Sequence, residues 1–368
     1  MSLHALRATV RVYAVGVALV VTQLLRRLRR GFAPPELPPQ PGRVAIVTGG
    51  TDGIGLSTAR QLARLGMRVV IASNNLEKAP EVVRSIQEET GNDAVQFLFL
   101  DLASLASVRK FVSDFLALGI PLHVLINNAG IMLVPCGETL DGFESHLGVN
   151  FLGHFLLTRL LLPLLRGAGK SGKWARIVTV ASATHYVGEL DVEDLQGRSA
   201  YSPHAAYAQS KLALVMFSLR LQWLLNSRCD PVTSNLADPG VVDTALYRHA
   251  WWGLRAAQGV LGWLLLKTPD EGAWTSVYAA ASPELEGIGG CYFRDLEWTE
   301  PLGAAKDQKL QRWLWAESCR LTGDPEAEDG WDDGSLDDVT SFPVLRAFPV
   351  SSSEGPPRDG GGVWRGRK

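Results

Sequence analysis

The chain has 368 residues, 46% of them apolar and 20% charged, a globular composition long enough for one large domain or two ordinary ones. A net charge of −2 at pH 7 gives no global attraction to nucleic acid, so none is expected as a partner. Four cysteines, Cys136, Cys229, Cys291 and Cys319, are scattered. They form neither a metal spacing nor a dense disulfide framework, so no metal site is expected and a reducing compartment fits.

The N-terminus departs from this average. "VYAVGVALVVTQLL", residues 12–25, is apolar apart from Thr22 and Gln23, and "RRLRR", residues 26–30, follows. The run is shorter than the roughly 20 residues of a full membrane span and matches the core of a signal peptide. Arginines stand where a cleaved signal would place small residues, so an uncleaved membrane anchor or a surface-lying basic helix is expected. Arg26, Arg27, Arg29 and Arg30 outnumber Arg7 and Arg11, which puts the bulk of the chain on the cytosolic side. The alternative is a cleaved leader and a secreted protein. "APPELPPQPG", residues 33–42, reads as a semi-rigid spacer.

Next comes "RVAIVTGG", residues 43–50, a β-branched apolar run ending in glycine and therefore a buried strand, then a helix over 53–65. "RVVIASN" (68–74) is a second strand and 76–90 a second helix. "VQFLFLDL" (95–102), "HVLINNAG" (123–130), "ARIVTVAS" (175–182) and "VTSNLAD" (232–238) repeat the pattern with helices between them. Such alternation gives one α/β domain with a parallel sheet covered on both faces, whose ligands bind beyond the carboxyl ends of the strands. From about Gly323, "GDPEAEDGWDDGSLDDV" and "SSSEGPPRDGGG" have the composition of a disordered tail. The expected organisation is an anchor over 1–32, a linker over 33–42, the α/β domain over 43–322 and a tail over 323–368.

The polar residues cluster at those carboxyl ends. "TGGTDGIG", residues 48–55, sets Gly49, Gly53 and Gly55 at a strand-to-helix turn, with Thr51, Asp52 and Ile54 among them. Glycines let backbone N–H groups approach a pyrophosphate, and the helix N-terminus favours its charge. An acidic residue ending the second strand would select NAD and an arginine NADP. Asn74 and Asn75 stand there instead; they offer hydrogen bonds without charge, or cap the next helix. Asp101 could accept from an adenine amino group or cap its own helix. Asn127, Asn128 and Gly130 end the fourth strand, and Asn150 is an isolated amide in an apolar helix that needs partners. Ser182 ends the fifth strand. Tyr207 and Lys211, in "AAYAQSKLAL", lie one helical turn apart. Moving a hydride from an alcohol carbon requires removing the hydroxyl proton. A phenol of pKa about 10 is a poor base at neutral pH unless a neighbouring ammonium favours its phenolate. Lys211 is placed to do that, and Ser182 to hold the substrate oxygen.

Together, "TGGTDGIG", "NNAG", Asn150, Ser182, "YAQSK" and "PGVVDT" resemble the short-chain dehydrogenase/reductase family, over residues 44–323. "NFLGHFLLT", "SATHY" and "DPGVV" are similar to its retinol-dehydrogenase-like branch. The resemblance implies a Rossmann-like, doubly wound parallel sheet and a catalytic set of Asn150, Ser182, Tyr207 and Lys211. The lysine would also bind the nicotinamide ribose, the asparagine would support a water-mediated proton relay, and Thr244 would contact the nicotinamide end. A closer resemblance, through "SPHAAYAQSKLALV" and "LKTPDEGAWTS", is to enzymes of the polyprenol-to-dolichol route. It implies polyprenol oxidation with NAD, dolichal reduction with NADPH, and an endoplasmic reticulum membrane. The branch usually has arginine where Asn74 stands, so use of both NAD and NADP is expected. "HAWWGLRAAQGVLGWLLLK", residues 249–267, stands where the family covers the substrate; Trp251 and Trp252 are expected against a lipophilic alcohol or aldehyde, or else in ordinary core or oligomer packing. The rival readings are a retinol or steroid dehydrogenase and a non-catalytic nucleotide-binding module, and the complete four-residue set counts against the module.

Overall fold

The computed structural model describes residues 3–245 and 265–324. Its centre is an eight-stranded sheet in the order β3-β2-β1-β4-β5-β6-β7-β8. The strands are β1 (Val44–Thr48), β2 (Arg68–Ser73), β3 (Val95–Phe99), β4 (Val124–Asn127), β5 (Ala175–Val180), β6 (Val232–Asp238), β7 (Tyr292–Arg294) and β8 (Glu297–Trp298). All run parallel except β8, which returns antiparallel to β7. Every residue of β1, β4, β5 and β6 is buried, as apolar β-branched runs require in a sheet covered on both faces.

Two apolar clusters fill those faces. Helices α2 (Gly53–Arg64), α3 (Ala79–Thr90) and α7 (Pro269–Ala281) pack one, through Leu62, Ile86 and Val277. Helices α4 (Leu105–Ala117), α5 (Gly153–Ala168), α6 (Pro203–Ser227) and α8 (Gln308–Thr322) pack the other, through Phe111, Phe155, Phe217 and Trp315. The strand order reverses between β1 and β4, and this switch point opens the crevice where such sheets bind ligands. The doubly wound Rossmann-like sheet expected from the sequence is thus present.

The elements differ from the sequence reading in three ways. β7 and β8 were not anticipated, since strands of three and two residues carry no periodicity; Asp295 and Leu296, both at positive φ, turn the chain between them. α3 begins at Ala79 rather than at residue 76, with Pro80 in its first turn. The largest difference is at the N-terminus. The short apolar run and the arginines form a single helix, α1 (Leu3–Arg30), of 28 residues. By length and composition it could cross a membrane. It also packs on α6 and on the 3₁₀ turn Ala183–Val187 within the same compact unit as the sheet. Arg11 pairs with Glu189 near one end, and near the other Arg27 pairs with Glu271 and Arg26 with Asp295 and Glu297. Trp251, Trp252 and residues 325–368 lie outside the described residues.

Candidate active site

β1 delivers the chain to the glycine turn. Gly49 and Gly53 have φ of 65° and 52°, the left-handed region where a side chain is strained. A Cβ on Gly55 would stand 2.3 Å from the Gly49 carbonyl oxygen and 2.4 Å from Asn128 Nδ2, so only glycine lets α2 come this close to the strands. Thr48 ties the ends of β1 and β4 together: its Oγ1 accepts from the backbone N–H of Asn128 and Ala129 at 2.8 and 3.0 Å, while Asn128 Nδ2 donates to its carbonyl at 2.8 Å. Asp52 caps α2 through Gly53 N–H, and Thr51 bonds the Ser73 hydroxyl at the end of β2. The residues present fit a dinucleotide: a side-chain-free cradle opens onto the N-terminus of a helix.

The two asparagines stand at the end of β2. Asn75 Oδ1 accepts from Lys78 N–H in the turn before α3, which has no side-chain cap, and Asn75 lines the cavity as well. Asn74 faces the cavity and reaches Asp101 Oδ1 at 3.4 Å. Asp101 also accepts from Ala103 N–H at 3.0 Å, which shapes the turn before α4. Lys78 pairs with Asp52 at 2.6 Å and puts a cation beside this corner that sequence reasoning missed, because it sits in a connecting turn.

The acid–base cluster is carried by α6 and β5. Ser202 caps α6 and Pro203 opens it, which fixes the register that stacks Tyr207 over Lys211. Both are buried, at 3% and 6% exposure. Lys211 Nζ donates to the Val180 carbonyl at 3.1 Å and stands 5.9 Å from the Tyr207 ring centroid. Burial pushes the Tyr207 phenol up to about 12 against the opposing hydroxyls of Ser182 and Thr184, and pushes the Lys211 ammonium down to about 8 against Asp238. Ser182 Oγ accepts from the Thr184 hydroxyl at 3.0 Å. Asp238, at the end of β6, is itself fully enclosed and accepts from Tyr292 OH, Arg294 Nε and Gly240 N–H at 2.7, 2.9 and 2.9 Å. Thr184 and Asp238 also went unnoticed in the sequence; only the burial of an acid ending an apolar strand could have flagged the second.

Asn150 sits in a π-helical turn, Leu147–Leu152, that leads into α5. Its amide is fully committed: Oδ1 accepts from Ile131 N–H at 2.8 Å, and Nδ2 donates to the Ile131 carbonyl and to Ser210 Oγ, each at 3.0 Å. A Cβ on Gly130 would stand 3.2 Å from Asn150 Oδ1 and 3.9 Å from Lys211 Nζ, so glycine makes the room for this meeting. The Asn150 carbonyl is bonded to His154 Nδ1 at 2.9 Å, and burial lowers that imidazole to about 4, leaving it a neutral donor.

Every residue expected on the cofactor side lines one cavity of about 700 Å³, as do Ser182, Tyr207 and Lys211; Asn150 lies behind it. The unexpected wall is α1. Val12, Tyr13, Val15, Gly16, Val17, Leu19, Val20 and Val21 line the same cavity, a broad and mostly aliphatic surface of the helix. This face was legible only in Gln23, the buried amide that ends the stripe.

A family model for the short chain dehydrogenase matches residues 43–251. Mouse polyprenol dehydrogenase is 68% identical over 322 residues, covering 88% of this chain and 96% of the relative. Human retinol dehydrogenase 13 is 40% identical over 317 residues, covering 84% of this chain and 93% of the relative. Among solved structures, an uncharacterized protein from Mycobacterium paratuberculosis is 38% identical with a TM-score of 0.62, covering 78% of this chain and 96% of that one. The RhlG/NADP active-site complex of Pseudomonas aeruginosa is 25% identical with a TM-score of 0.55, covering 68% and 93%. A Brucella melitensis 3-ketoacyl-(acyl-carrier-protein) reductase complexed with NADH is 25% identical with a TM-score of 0.53, covering 68% and 95%. The glycine turn at the switch point, the buried tyrosine–lysine pair and these matches agree that the chain belongs to the short-chain dehydrogenase family and is an oxidoreductase acting on CH–OH groups.

Proposed function

We propose that the chain interconverts a long-chain prenol and its aldehyde, oxidising polyprenol with NAD and reducing dolichal with NADPH. The observation that carries this reading is the cavity itself: Tyr207 and Ser182 open onto a space whose far wall is the aliphatic face of α1. Its support is the 68% identity to mouse polyprenol dehydrogenase. In this reading Asn150, Ser182, Tyr207 and Lys211 form the catalytic set. A bound nicotinamide dinucleotide supplies the hydride acceptor for oxidation and the donor for reduction. The Ser182 hydroxyl holds the substrate oxygen. Tyr207 takes the hydroxyl proton as the alcohol becomes a carbonyl and returns it in reduction. The Lys211 ammonium stabilises the phenolate between those events. Asn150 anchors the turn at Ile131 and so fixes the floor beside Lys211.

Asn74 accounts for dual cofactor use: its amide carries no charge to repel a 2′-phosphate and still bonds a ribose hydroxyl. Lys78, paired with Asp52, is the cation this reading assigns to an added 2′-phosphate. The protein acts at a membrane, of the endoplasmic reticulum in this reading, with its catalytic unit on the cytosolic side. Because Arg11 and Arg27, near the two ends of α1, both pair with the same unit, the helix lies along the membrane surface.

Full-length protein in detergent micelles, given a polyprenol of about 18 isoprene units, should form polyprenal with NAD, and with NADPH should reduce dolichal to dolichol, both read by lipid mass spectrometry. Turnover of all-trans-retinol with no turnover of polyprenol would replace this reading with the retinol-dehydrogenase alternative, which the 40% identical relative favours.

A further inference from the structure

We infer that α1 is the chain-length-reading wall of the substrate cavity and that Gly16 is its specificity-determining position; the inference rests on the lipophilic-alcohol reading above. A glycine in the middle of a helix is costly to helix formation. Two usual reasons are absent. Gly16 has no positive φ, so no left-handed turn requires it. A Cβ built there meets nothing within 4 Å among the described residues, so no close helix contact requires it either. What remains is the space. Gly16 lines the cavity one turn from both Val12 and Val20, and it alone among the α1 residues that line the cavity has no side chain.

The wall is held in register by polar bonds a free anchor would not need. Gln23, one turn beyond Leu19 and 4% exposed, accepts from Val241 N–H at 2.6 Å and donates to the Val241 carbonyl at 3.1 Å. Val241 belongs to the loop after β6 that also lines the cavity and leads to Thr244. That loop is locked from behind: Asp238 accepts from Gly240 N–H, and Lys267, buried on Asp295, donates to the Pro239 carbonyl at 3.1 Å. Gly240 has φ of 77°, and a Cβ there would strike Gln23 Oε1 at 2.3 Å. A two-point amide clamp thus fixes the face of α1 relative to the cofactor side, so the volume left at Gly16 is a defined one. Val10, 59% exposed and about 120° round the helix from Gly16, is not among the cavity residues.

The test is a size series at this position. Gly16→Ala, Gly16→Leu and Gly16→Phe, with Val10→Phe as the control on the outer face, are made in the full-length protein. kcat/KM is measured with 3-methylbut-2-en-1-ol and with the polyprenol in the same micelles. The ratio of long- to short-alcohol kcat/KM should fall in the order Ala, Leu, Phe, by at least about tenfold at Phe, the discrimination a pocket gains from a misfitting apolar group. Val10→Phe should leave the ratio as in wild type. A ratio unchanged at Gly16→Phe, or moved as much by Val10→Phe, overturns the inference. If wild type does not turn over polyprenol, the substrate reading fails by itself. The same ratio, taken with all-trans-retinol as the long alcohol, then decides the role of Gly16 by the same criterion.

Discussion

At the carboxyl edge of the sheet, polar groups are buried in sets. Tyr207 lies against Ser182, Lys211 bonds the Val180 carbonyl, Asp238 accepts from three donors, and Asn150 spends its whole amide on Ile131 and Ser210. Across the same cavity α1 presents mostly aliphatic side chains with Tyr13 among them, a glycine and an amide clamp. The first region needs particular residue types at fixed points, because an unpaired buried polar group is expensive and an acid–base step has a geometry. The second needs only volume and a place to stand, which many sequences supply. On the proposed reading the first decides whether a hydride moves and the second decides which alcohol brings it. Variants that act on one region and spare the other are the way to break this division.

The largest effect belongs to Lys211. Lys211→Met should lower turnover of every alcohol by about 10²–10⁴-fold, the range for a lost acid–base contribution. In wild type, reductive kcat/KM should fall as pH rises through about 8, because the ammonium that holds the phenol reactive loses its proton there. The same group leaves a mark on stability. Its folded-state pKa is depressed from 10.5 to about 8, so its burial cost is fully present below 8 and is relieved between 8 and 10.5. Wild type should therefore gain stability relative to Lys211→Met over that window, because the unfolded chain binds the extra proton there. Denaturant midpoints at pH 7 and pH 10 read the difference; a gap that does not change with pH contradicts the buried-ammonium geometry.

Next is the glycine cradle. Gly55→Ala puts a Cβ against backbone at Gly49, which cannot swing aside. Nucleotide affinity should drop by about 10²-fold, the cost of a displacement near 1 Å at a binding site. Quenching of intrinsic fluorescence by NADH and by NADPH measures it, and wild-type affinity in this variant would show that the turn is not the dinucleotide cradle.

A smaller effect is expected at the cofactor-choosing corner. Asn74→Arg should favour NADP(H) and Asn74→Asp NAD(H), each shifting the ratio of kcat/KM values by about 10- to 100-fold, or some 1.4 to 2.8 kcal/mol. Lys78→Ala should lower the NADP(H) arm alone. If both cofactors respond equally to Asn74→Asp, this corner does not face the 2′-position.

The smallest effect separates the wall of α1 from its decoration. Arg11 and Glu189 are both more than half exposed, and pairs of that kind contribute little. Arg11→Gln should change stability by no more than about 0.5 kcal/mol. A cost well above that in chemical denaturation would mean that the outer pair, not the Gln23 clamp, holds the helix.

What could be read in advance follows the same line. β1 to β6 and the glycine turn were legible because apolar β-branched runs and left-handed glycines are local requirements. The Tyr207–Lys211 pair was legible only together with Ser182 and the glycine turn, since two polar residues one turn apart by themselves read as a solvated face. β7 and β8 were too short to carry a period, and Asp238 looked like any residue closing a strand. That α1 also lines the cavity was not legible, for a physical reason: an aliphatic helix has the same composition whether its face meets lipid or a cavity, and the sequence reading gave residues 1–32 to a membrane anchor alone. Thr22 and Gln23 broke the pattern in that run, and the two bonds of Gln23 to Val241 now explain the second.

The division between chemistry and selection is tested most directly by Tyr207→Phe assayed with 3-methylbut-2-en-1-ol and with polyprenol in parallel. The variant keeps the buried ring and removes only the hydroxyl that would carry the proton. kcat should fall towards the upper part of the 10²–10⁴-fold range and by the same factor for both alcohols, with NADH binding unchanged. Turnover close to wild type, or a loss confined to one alcohol, would contradict the assignment of proton transfer to Tyr207.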